Sequence, residues 1–462
     1  MSKQDKANKL RPSRDAGKKN KPASLPPIDV SQFAEMSLEE VAEVLSLTIK
    51  YDTDNKLITF LCMLSAYTDS SQLNVSFNAP SSSGKTYMTT EIAKLFPPED
   101  KIERSGASPT SFFYGEGVED KERKVKVVLL ERKILLFYEQ PNPLLQAKLR
   151  PVLSHDQREL RFSNTNKDKK GANRAEQTII RGYPATVFCS AGLQLDEQEA
   201  TRAILLSPEV TEAKLKEGVH LQAKRGANEA EFDEWVESQP ERIALKSRII
   251  AIREEHVDDI IIPDPDAIEH RFYAVFGKLK PRHMRDMGHL MRLIKVVALL
   301  NVWQRRQPDG TIVANQADID AAFALWSKVV ESQDLNVPPI VMNFYKNFIL
   351  PAYFEKKNDP EFASDVDFGF VGLSSQELST YYLRVEESPL NDEHLRKQIL
   401  PQLIASGLIT YDQPANGDRR SRHIFPKMFL NQNRFNFNDN NIGKSGGVMD
   451  ESWKKFFGGK SL

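Results

Sequence analysis

Residues 76–86 read Ser-Phe-Asn-Ala-Pro-Ser-Ser-Ser-Gly-Lys-Thr, and this stretch decides the fold class of the chain. It follows an apolar run and precedes a helix-forming run, which is the context of a phosphate-binding loop. The usual pattern of such a loop is G-x-x-x-x-G-K-[ST], and Ala79 stands here at the position of the first glycine. The turn from Ser81 to Gly84 can still direct successive backbone N–H groups toward an anion at the positive end of a helix.

In this interpretation one short segment supplies the nucleotide contacts. Lys85 reaches the β- and γ-phosphates, and the Thr86 hydroxyl coordinates Mg²⁺. The alternative is a serine-rich loop that only caps a helix. The Gly-Lys-Thr sequence favours a nucleotide-binding loop over this alternative. We therefore predict ATP and Mg²⁺ as cofactors, bound by Ala79, Ser81, Ser82, Ser83, Gly84, Lys85 and Thr86.

Composition indicates a cytoplasmic protein of several domains. The 462 residues correspond to two to four domains at about 150 residues each. With 63 Lys and Arg against 64 Asp and Glu, binding to a polyanion has to come from local patches. Cys62 and Cys189 lie in apolar runs and read as buried thiols, and the eight histidines have no zinc-ligand spacing. We expect no membrane span, because no apolar run approaches the roughly 18 residues required, and no signal peptide.

The first half of the chain alternates short apolar strands with helices, which predicts an α/β fold with a parallel sheet. Ser37 opens the first helix with the features of a capping box. The predicted helices cover residues 37–47, 56–66 and 86–95. The predicted strands cover residues 72–77, 125–130, 134–137 and 183–191.

The second half changes character twice. Beyond about residue 210 the patterns at 241–255, 286–300 and 316–332 are helical, which predicts an all-α module. Near residue 370 two helices (373–383 and 391–406) precede two strands (408–411 and 421–425), the order of a winged helix. The predicted divisions are a disordered basic tail at 1–27, an ATPase core at 28–210, a helical lid at 211–335, a linker helix and winged helix at 336–430, and a flexible tail at 431–462.

Two polar residues follow predicted strands and are candidate catalytic groups. Glu139 comes after the strand at 134–137, where a nucleoside triphosphatase needs a carboxylate to hold Mg²⁺ or to activate water. The sequence leaves open which of these Glu139 does, and an exposed glutamate at a strand end is the alternative. Ser190 ends the next strand and could hydrogen-bond the γ-phosphate or the attacking water.

Two arginines could stabilise charge on the transferring phosphoryl group. Arg202 lies between an acidic segment and a strand and could act as an arginine finger in a neighbouring subunit. The sequence supports equally well the alternative that Arg202 forms an intramolecular ion pair with Asp196 or Glu199. Arg285, near the start of a long helix, is the first candidate for an arginine that folds onto the γ-phosphate. Arg282 is the second, and a plain basic helix start is the alternative.

A basic hairpin is the candidate contact to nucleic acid. Residues 158–162 and 177–181 read as two strands, and the loop between them is polar and basic. Its cations are Lys167, Lys169, Lys170 and Arg174. Such side chains neutralise backbone phosphates without reading the base sequence. The alternative is a charged hairpin that is exposed to solvent and contacts no nucleic acid.

Taken in order, these features resemble the AAA+ ATPases over about residues 37–335. The hairpin before the Ser190 strand is similar to the pre-sensor hairpin of the helicase branch, and residues 285–294 are similar to the lid of MCM-type helicases. The resemblance implies a P-loop core, a helical lid and a C-terminal winged helix. It also implies that Glu139 activates water, Ser190 is the first sensor, Arg202 the finger and Arg285 the second sensor.

The chain departs from the family pattern at three positions and in one domain. Ala79 replaces glycine, Tyr138 replaces the aspartate before Glu139, and Ser190 replaces the commoner Asn or Thr. No zinc-binding N-terminal domain is visible. The resemblance is therefore to a divergent, MCM-like ATPase of the kind found in phage and mobile DNA.

We expect a DNA helicase or DNA-remodelling translocase that forms a ring, by resemblance a hexamer, on single-stranded or forked DNA. The alternative is an ATP-controlled DNA-binding initiator, helicase loader or transcriptional regulator. In that case the helix at 391–406, with His394, Arg396, Lys397 and Gln398, would enter the major groove. Its acidic neighbours weaken that alternative. A small-molecule kinase with the same loop is a third reading, which the extra domains disfavour.

Overall fold

A computed structural model describes residues 29–106, 108–120, 125–165, 175–193, 200–276, 278–358, 372–413 and 422–427. The chain divides into a short unit at residues 1–34 and a large unit at residues 35–462. In the short unit, a 3₁₀ turn at Val30–Gln32 is capped by Asp29, which accepts a hydrogen bond from Ser31 N. The tails predicted at 1–27 and 431–462 lie outside the described residues.

The large unit is built around a parallel sheet of five strands in the order β2-β5-β8-β1-β9. The strands are β1 Asn74–Asn78, β2 Lys101–Arg104, β5 Ile134–Phe137, β8 Ala185–Ser190 and β9 Ile204–Leu206. All four pairings are parallel. Their apolar side chains are buried on both faces, as expected for parallel strands covered by helices. The predicted α/β class with a parallel central sheet is confirmed.

One predicted strand belongs to a different sheet. A four-stranded sheet has the order β3-β4-β7-β6, with β3 Val118–Asp120, β4 Val125–Leu129, β6 Glu159–Thr165 and β7 Ala175–Arg181. β4 covers the predicted strand at 125–130, and it pairs in parallel with β7 instead of joining the central sheet. Val125 and Val128 are its buried residues, and the other three are partly or fully exposed.

The helices cover both faces of the central sheet and form most of the second half. Ser37 caps the first helix as predicted, since Ser37 Oγ accepts from Glu40 N at 3.2 Å and Glu40 Oε2 accepts from Ser37 N at 2.7 Å. The helices are α1 Leu38–Ser46, α2 Thr53–Leu64, α3 Lys85–Ala93, α4 Pro109–Glu116, α5 Pro143–Leu153, α6 Glu212–Ala227, α7 Glu229–Glu237, α8 Pro240–Glu254, α9 Pro265–Tyr273, α10 His283–Leu300, α11 Val302–Arg305, α12 Gln316–Leu335, α13 Pro339–Phe344, α14 Leu350–Lys357, α15 Ser375–Glu386, α16 Asp392–His394 and α17 Leu400–Ala405.

The sheet and the helices that follow it share one hydrophobic core. This cluster runs from Leu38 to Val330 and includes β1 and β8 together with α8, α10 and α12. Phe323 and Trp326 of α12 are fully buried in it. The helices predicted as a lid therefore pack directly on the sheet, and α12 contacts β9.

The C-terminal part has a core of its own. Leu378, Leu395, Leu403 and Ile424 are buried in it. A π-helical turn at Leu395–Ile399 joins α16 to α17. Strands β10 Leu373–Ser374, β11 Ile409–Asp412 and β12 His423–Pro426 form an antiparallel sheet in the order β10-β12-β11. The predicted order of two helices and two strands is present, while the winged helix itself stays a prediction because residues 414–421 lie outside the described part.

Within the described residues, no helix combines the length and the apolar character that crossing a bilayer requires.

Candidate nucleotide-binding site

The segment between β1 and α3 has a backbone suited to an anion. Ser82 and Gly84 both have positive φ angles, 63° and 92°. Gly84 is the N-cap of α3, so no side chain covers the first N–H groups of the helix. A Cβ placed on Gly84 would meet nothing within 4 Å, and the space in front of the loop is open there. Alternating left-handed residues at a helix start form the concave arrangement of N–H groups that holds phosphate.

Lys85 holds this loop in its present shape. Its Nζ donates to Ala79 O at 2.7 Å and to Pro80 O at 2.6 Å. Ser83 Oγ also donates to Pro80 O, at 2.9 Å. Burial lowers the pKa of Lys85, against the opposing influence of Cys189. The cation therefore lies inside the loop, where its charge is available to a phosphate that displaces the two carbonyl contacts.

Thr86 follows Lys85 on the exposed side of the first helical turn. Its carbonyl accepts from Thr90 Oγ1 at 2.8 Å, an ordinary contact of helical backbone. A hydroxyl next to the phosphate position is the ligand that Mg²⁺ takes from such loops. The residues present thus fit a magnesium-bound nucleotide: backbone N–H groups, one cation and one hydroxyl.

Three predicted groups lie at the same edge of the central sheet. The loop follows β1, Ser190 ends β8 and Glu139 comes two residues after β5. β8 lies between β1 and β5, with Asn78 level with Ser190 and Phe137 level with Phe188. Since the carboxyl ends of parallel strands share one edge, the structure brings Ser190 beside the loop and Glu139 one strand further along the same edge.

Glu139 is exposed at this edge. Its Oε2 would be 3.8 Å from a Cβ on Gly106, so the carboxylate lies near the turn after β2. Burial, and then the Glu103 carboxylate, raise the pKa of Tyr138 to about 12. A phenol is neutral at pH 7 even without this shift, so Tyr138 adds no charge to this strand end.

Ser190 is buried and joins the two strand ends through Gln140. Its hydroxyl lies 3.1 Å from Gln140 Oε1 and 3.2 Å from Gly192 O, and it accepts from Gly192 N. Gln140 was not among the residues predicted from sequence. Its position directly after Glu139 was the available signal, because a polar residue there reaches the neighbouring strand end.

Arg202 lies at the opposite edge of the sheet. It precedes β9, and Ile204 pairs with Val75 near the beginning of β1. Its Nε donates to Ser154 Oγ at 2.6 Å, just after α5. The five residues of β1 alone span roughly 16 Å, which separates Arg202 from the Lys85 of its own chain. Asp196 and Glu199, its predicted alternative partners, lie outside the described residues.

Arg285 lies at this same edge. Its guanidinium donates to Thr201 Oγ1, on the residue next to Arg202. Arg285 is exposed, and the group that it contacts on Thr201 is a neutral hydroxyl. The structure therefore brings Arg202 and Arg285 together, and it brings neither to the loop of its own chain.

Arg282, the second candidate for contact with the γ-phosphate, instead holds two helices together. Its Nε donates to Asp286 Oδ2 at 3.1 Å and its Nη1 to Asn336 Oδ1 at 2.9 Å. Its side chain is nearly buried between α10 and α12. These contacts fix the start of α10, and hence the position of Arg285.

The cations predicted to meet nucleic acid, Lys167, Lys169, Lys170 and Arg174, lie outside the described residues. The strands that carry their loop, β6 and β7, pair antiparallel as predicted. Neither protein-family models nor curated proteins match this chain.

Proposed function

We propose that this chain binds and hydrolyses ATP and uses the energy to translocate on, or remodel, DNA, as a divergent AAA+ helicase of phage or mobile DNA would. The observation that carries the proposal is the joint position of three groups at one sheet edge. Lys85 lies in a loop with left-handed residues at Ser82 and Gly84, and Ser190 and Glu139 end the next two strands.

The proposed roles follow from the chemistry of these groups. The loop N–H groups and Lys85 bind the phosphates, and Thr86 holds Mg²⁺. Glu139 either holds the metal through water or removes a proton from the attacking water. Ser190 is close enough to the same edge to sense the γ-phosphate, and Gln140 positions its hydroxyl.

A neighbouring copy is proposed to complete the site. Arg202 and Arg285 share the edge opposite to the loop, so each could reach a nucleotide bound by another chain. An arginine supplied in this way stabilises charge on the transferring phosphoryl group. This arrangement supports a head-to-tail assembly, for which a closed ring is the symmetric solution. The subunit number of six comes from the resemblance alone.

The DNA contact is proposed for the loop between β6 and β7. In the described strands, Arg161 and Arg181 both pair with Glu159, at 2.9 Å each, so one carboxylate offsets part of their charge. The sequence of the loop holds further cations, and we propose Lys169 and Lys170 as the phosphate contacts.

The test is to change Lys169 and Lys170 together to alanine. DNA should then no longer stimulate ATP hydrolysis, while basal hydrolysis and ATP binding remain. Lys328→Ala, at an exposed lysine of α12, is the control and should leave the stimulation intact. If DNA stimulates the double variant as fully as the wild type, this hairpin does not move DNA.

The alternative, an ATP-controlled DNA-binding regulator, depends on the segment at 392–405. Arg396 pairs with Asp392 at 3.0 Å and Lys397 with Glu393 at 2.6 Å. All four side chains are exposed, so this face has balanced charge and little attraction for a phosphate backbone. Strand displacement on forked DNA supports the helicase. Protection of one specific sequence without displacement supports the regulator.

A further inference from the structure

Helices α6 and α7 form a hairpin beside the helix of the nucleotide loop. Leu221, Phe232 and Val236 make a small core that packs on Tyr87 of α3. Within α6, whose residues are all described, Leu221 is the buried one. The hairpin therefore presents most of its surface outward, next to the loop that we propose binds ATP.

Ion pairs fix the hairpin in place at two points. Arg225 Nη1 donates to Glu91 Oε1 of α3 at 3.0 Å, and the guanidinium lies 4.8 Å from the centre of the Phe232 ring. At the other end Lys214 pairs with the buried Asp52. The outward surface is consequently a defined shape on the core, and α3 and the hairpin are held together.

The outward surface of α7 is acidic and carries a tryptophan. Helix α7 contains five carboxylates and no Lys or Arg. Glu237 and Asp233 pair with cations of this part of the chain. Glu231 and Glu234 are exposed beside Trp235, which is 46% exposed. We call Glu231, Glu234 and Trp235 the acidic face. Exposed tryptophan is typical of the centres of protein interfaces.

A surface with one exposed lysine and two exposed apolar side chains lies at the other edge of the sheet. Lys278 and Leu279 precede α10, and Met284 is in its first turn. Leu279 is 51% exposed and Met284 77%. We call these three residues the basic edge. Met284 is adjacent to Arg285 in the chain. The basic edge therefore forms one surface with the two arginines that we propose reach a neighbour's nucleotide.

We propose that the basic edge of one copy docks on the acidic face of the next copy. The proposal rests on the proposed function, in which Arg202 and Arg285 reach a neighbour's loop. The acidic face belongs to a hairpin packed on α3, and Met284 belongs to the segment that carries Arg285. One head-to-tail contact would then join opposite charges, bury Trp235 against Met284, and bring the arginines to the loop.

Cross-linking tests the pairing directly. A chain with Glu234→Cys and Met284→Cys should give a ladder beyond the dimer with a short bis-maleimide in the presence of Mg²⁺ and ATP. Each single variant should stay uncross-linked, because a head-to-tail contact does not bring like residues together. Native Cys62 and Cys189 are buried, and burial raises the pKa of both thiols, so they contribute little background.

The matched control carries Glu234→Cys with Leu383→Cys, an exposed leucine of the C-terminal part. It should give no ladder. Absence of the ladder in the first variant, or an equal ladder in the control, would overturn this interface. A single variant that forms dimers would indicate a two-fold contact and would overturn it as well.

Assembly measurements separate this interface from the proposed function. Trp235→Ala should raise the protein concentration for half-assembly by about tenfold or more, as at an interface centre, and should leave binding of a fluorescent ATP analogue by the monomer unchanged. Tyr273→Ala, at an equally exposed aromatic residue of α9, should assemble as the wild type does. Normal assembly of Trp235→Ala contradicts the interface alone. A wild type that binds ATP without assembling contradicts both the interface and the proposed completion of the site by a neighbouring copy. Failure of the wild type to bind ATP contradicts the proposed function.

Discussion

At the scale of single residues, the proposal depends on backbone shape as much as on charge. Ser82 and Gly84 adopt left-handed conformations, which turn the chain sharply before α3. The Lys85 ammonium is already held inside that turn by two carbonyl groups. When a phosphate binds, the Lys85 ammonium would exchange these two carbonyl contacts for a stronger contact with the charged phosphate oxygens. Substitutions at the loop and at Glu139 therefore separate binding from hydrolysis.

Gly84→Ala tests the backbone. The new Cβ has open space, so its cost is the strained φ of 92°, about 1 kcal/mol for a residue with a side chain. Relaxation of that angle would redirect the N–H groups and weaken ATP binding by about tenfold, the equivalent of 1.4 kcal/mol. Titration with a fluorescent ATP analogue measures the affinity, and urea unfolding measures stability. Gly218→Ala, within α6, should keep wild-type affinity and increase stability. Equal affinity in all three proteins would contradict a nucleotide site in this loop.

Glu139→Gln tests the chemical step. Loss of the carboxylate should lower the rate of ATP hydrolysis about 100-fold, the contribution of a positioned acid–base group, while binding stays nearly unchanged. The control is Glu131→Gln, at the other end of the same strand. It should hydrolyse ATP at the wild-type rate. Rapid hydrolysis by Glu139→Gln would assign the water-activating role to another residue.

At the scale of elements, local pattern predicted part of the fold and long-range pairing decided the rest. β1, β5 and β8 were predictable because each is a short apolar run with buried side chains. The sheet that β4 joins could not be predicted from local pattern, because its partner β7 is about 50 residues away in the chain. Helices α6 and α7 escaped prediction since α6 buries one residue and shows no apolar stripe.

The same distinction applies to the candidate site. Gly84, Lys85, Glu139 and Ser190 were identified from sequence because each follows a recognisable strand or loop pattern. The contact of Arg285 with Thr201 could not be identified from sequence, since it joins residues that are 84 positions apart. Likewise the pair between Arg225 and Glu91 spans 134 positions, and no local pattern indicates it.

Arg225→Met tests how firmly the hairpin is attached to α3. Glu91 is buried, and Lys94 remains as its second cation at 2.8 Å. Removal of Arg225 should lower the free energy of unfolding by about 3 kcal/mol, the lower end for breaking a buried ion pair. Adding Glu91→Gln should recover part of the loss. Arg384→Met breaks an exposed pair with Glu355 and should lower the stability to urea much less. Equal losses at Arg225 and Arg384 would show that the hairpin is not fixed by this contact.

At the scale of the whole molecule, the groups proposed for one reaction lie at two edges of one sheet. Lys85, Glu139 and Ser190 are at the carboxyl edge of the central strands, and Arg202 and Arg285 are at the amino edge. Within one copy, Arg202 and Arg285 contact Ser154 and Thr201 near the amino edge, and Arg202 also lines a cavity with Ser190 and Gln140. We propose that two copies arranged head to tail bring both arginines to one phosphate. Shared sites between copies are thus the central claim.

Hydrolysis of ATP by mixed variants distinguishes sites shared between copies from sites within one copy. Lys85→Ala and Arg202→Ala should each be inactive alone. Mixed one to one, they should recover roughly a quarter of the wild-type rate, because half of the sites retain Lys85 and half of those face an intact Arg202. Recovery at that level supports sites shared between copies. No recovery, or an Arg202→Ala variant that hydrolyses ATP normally by itself, would contradict the claim.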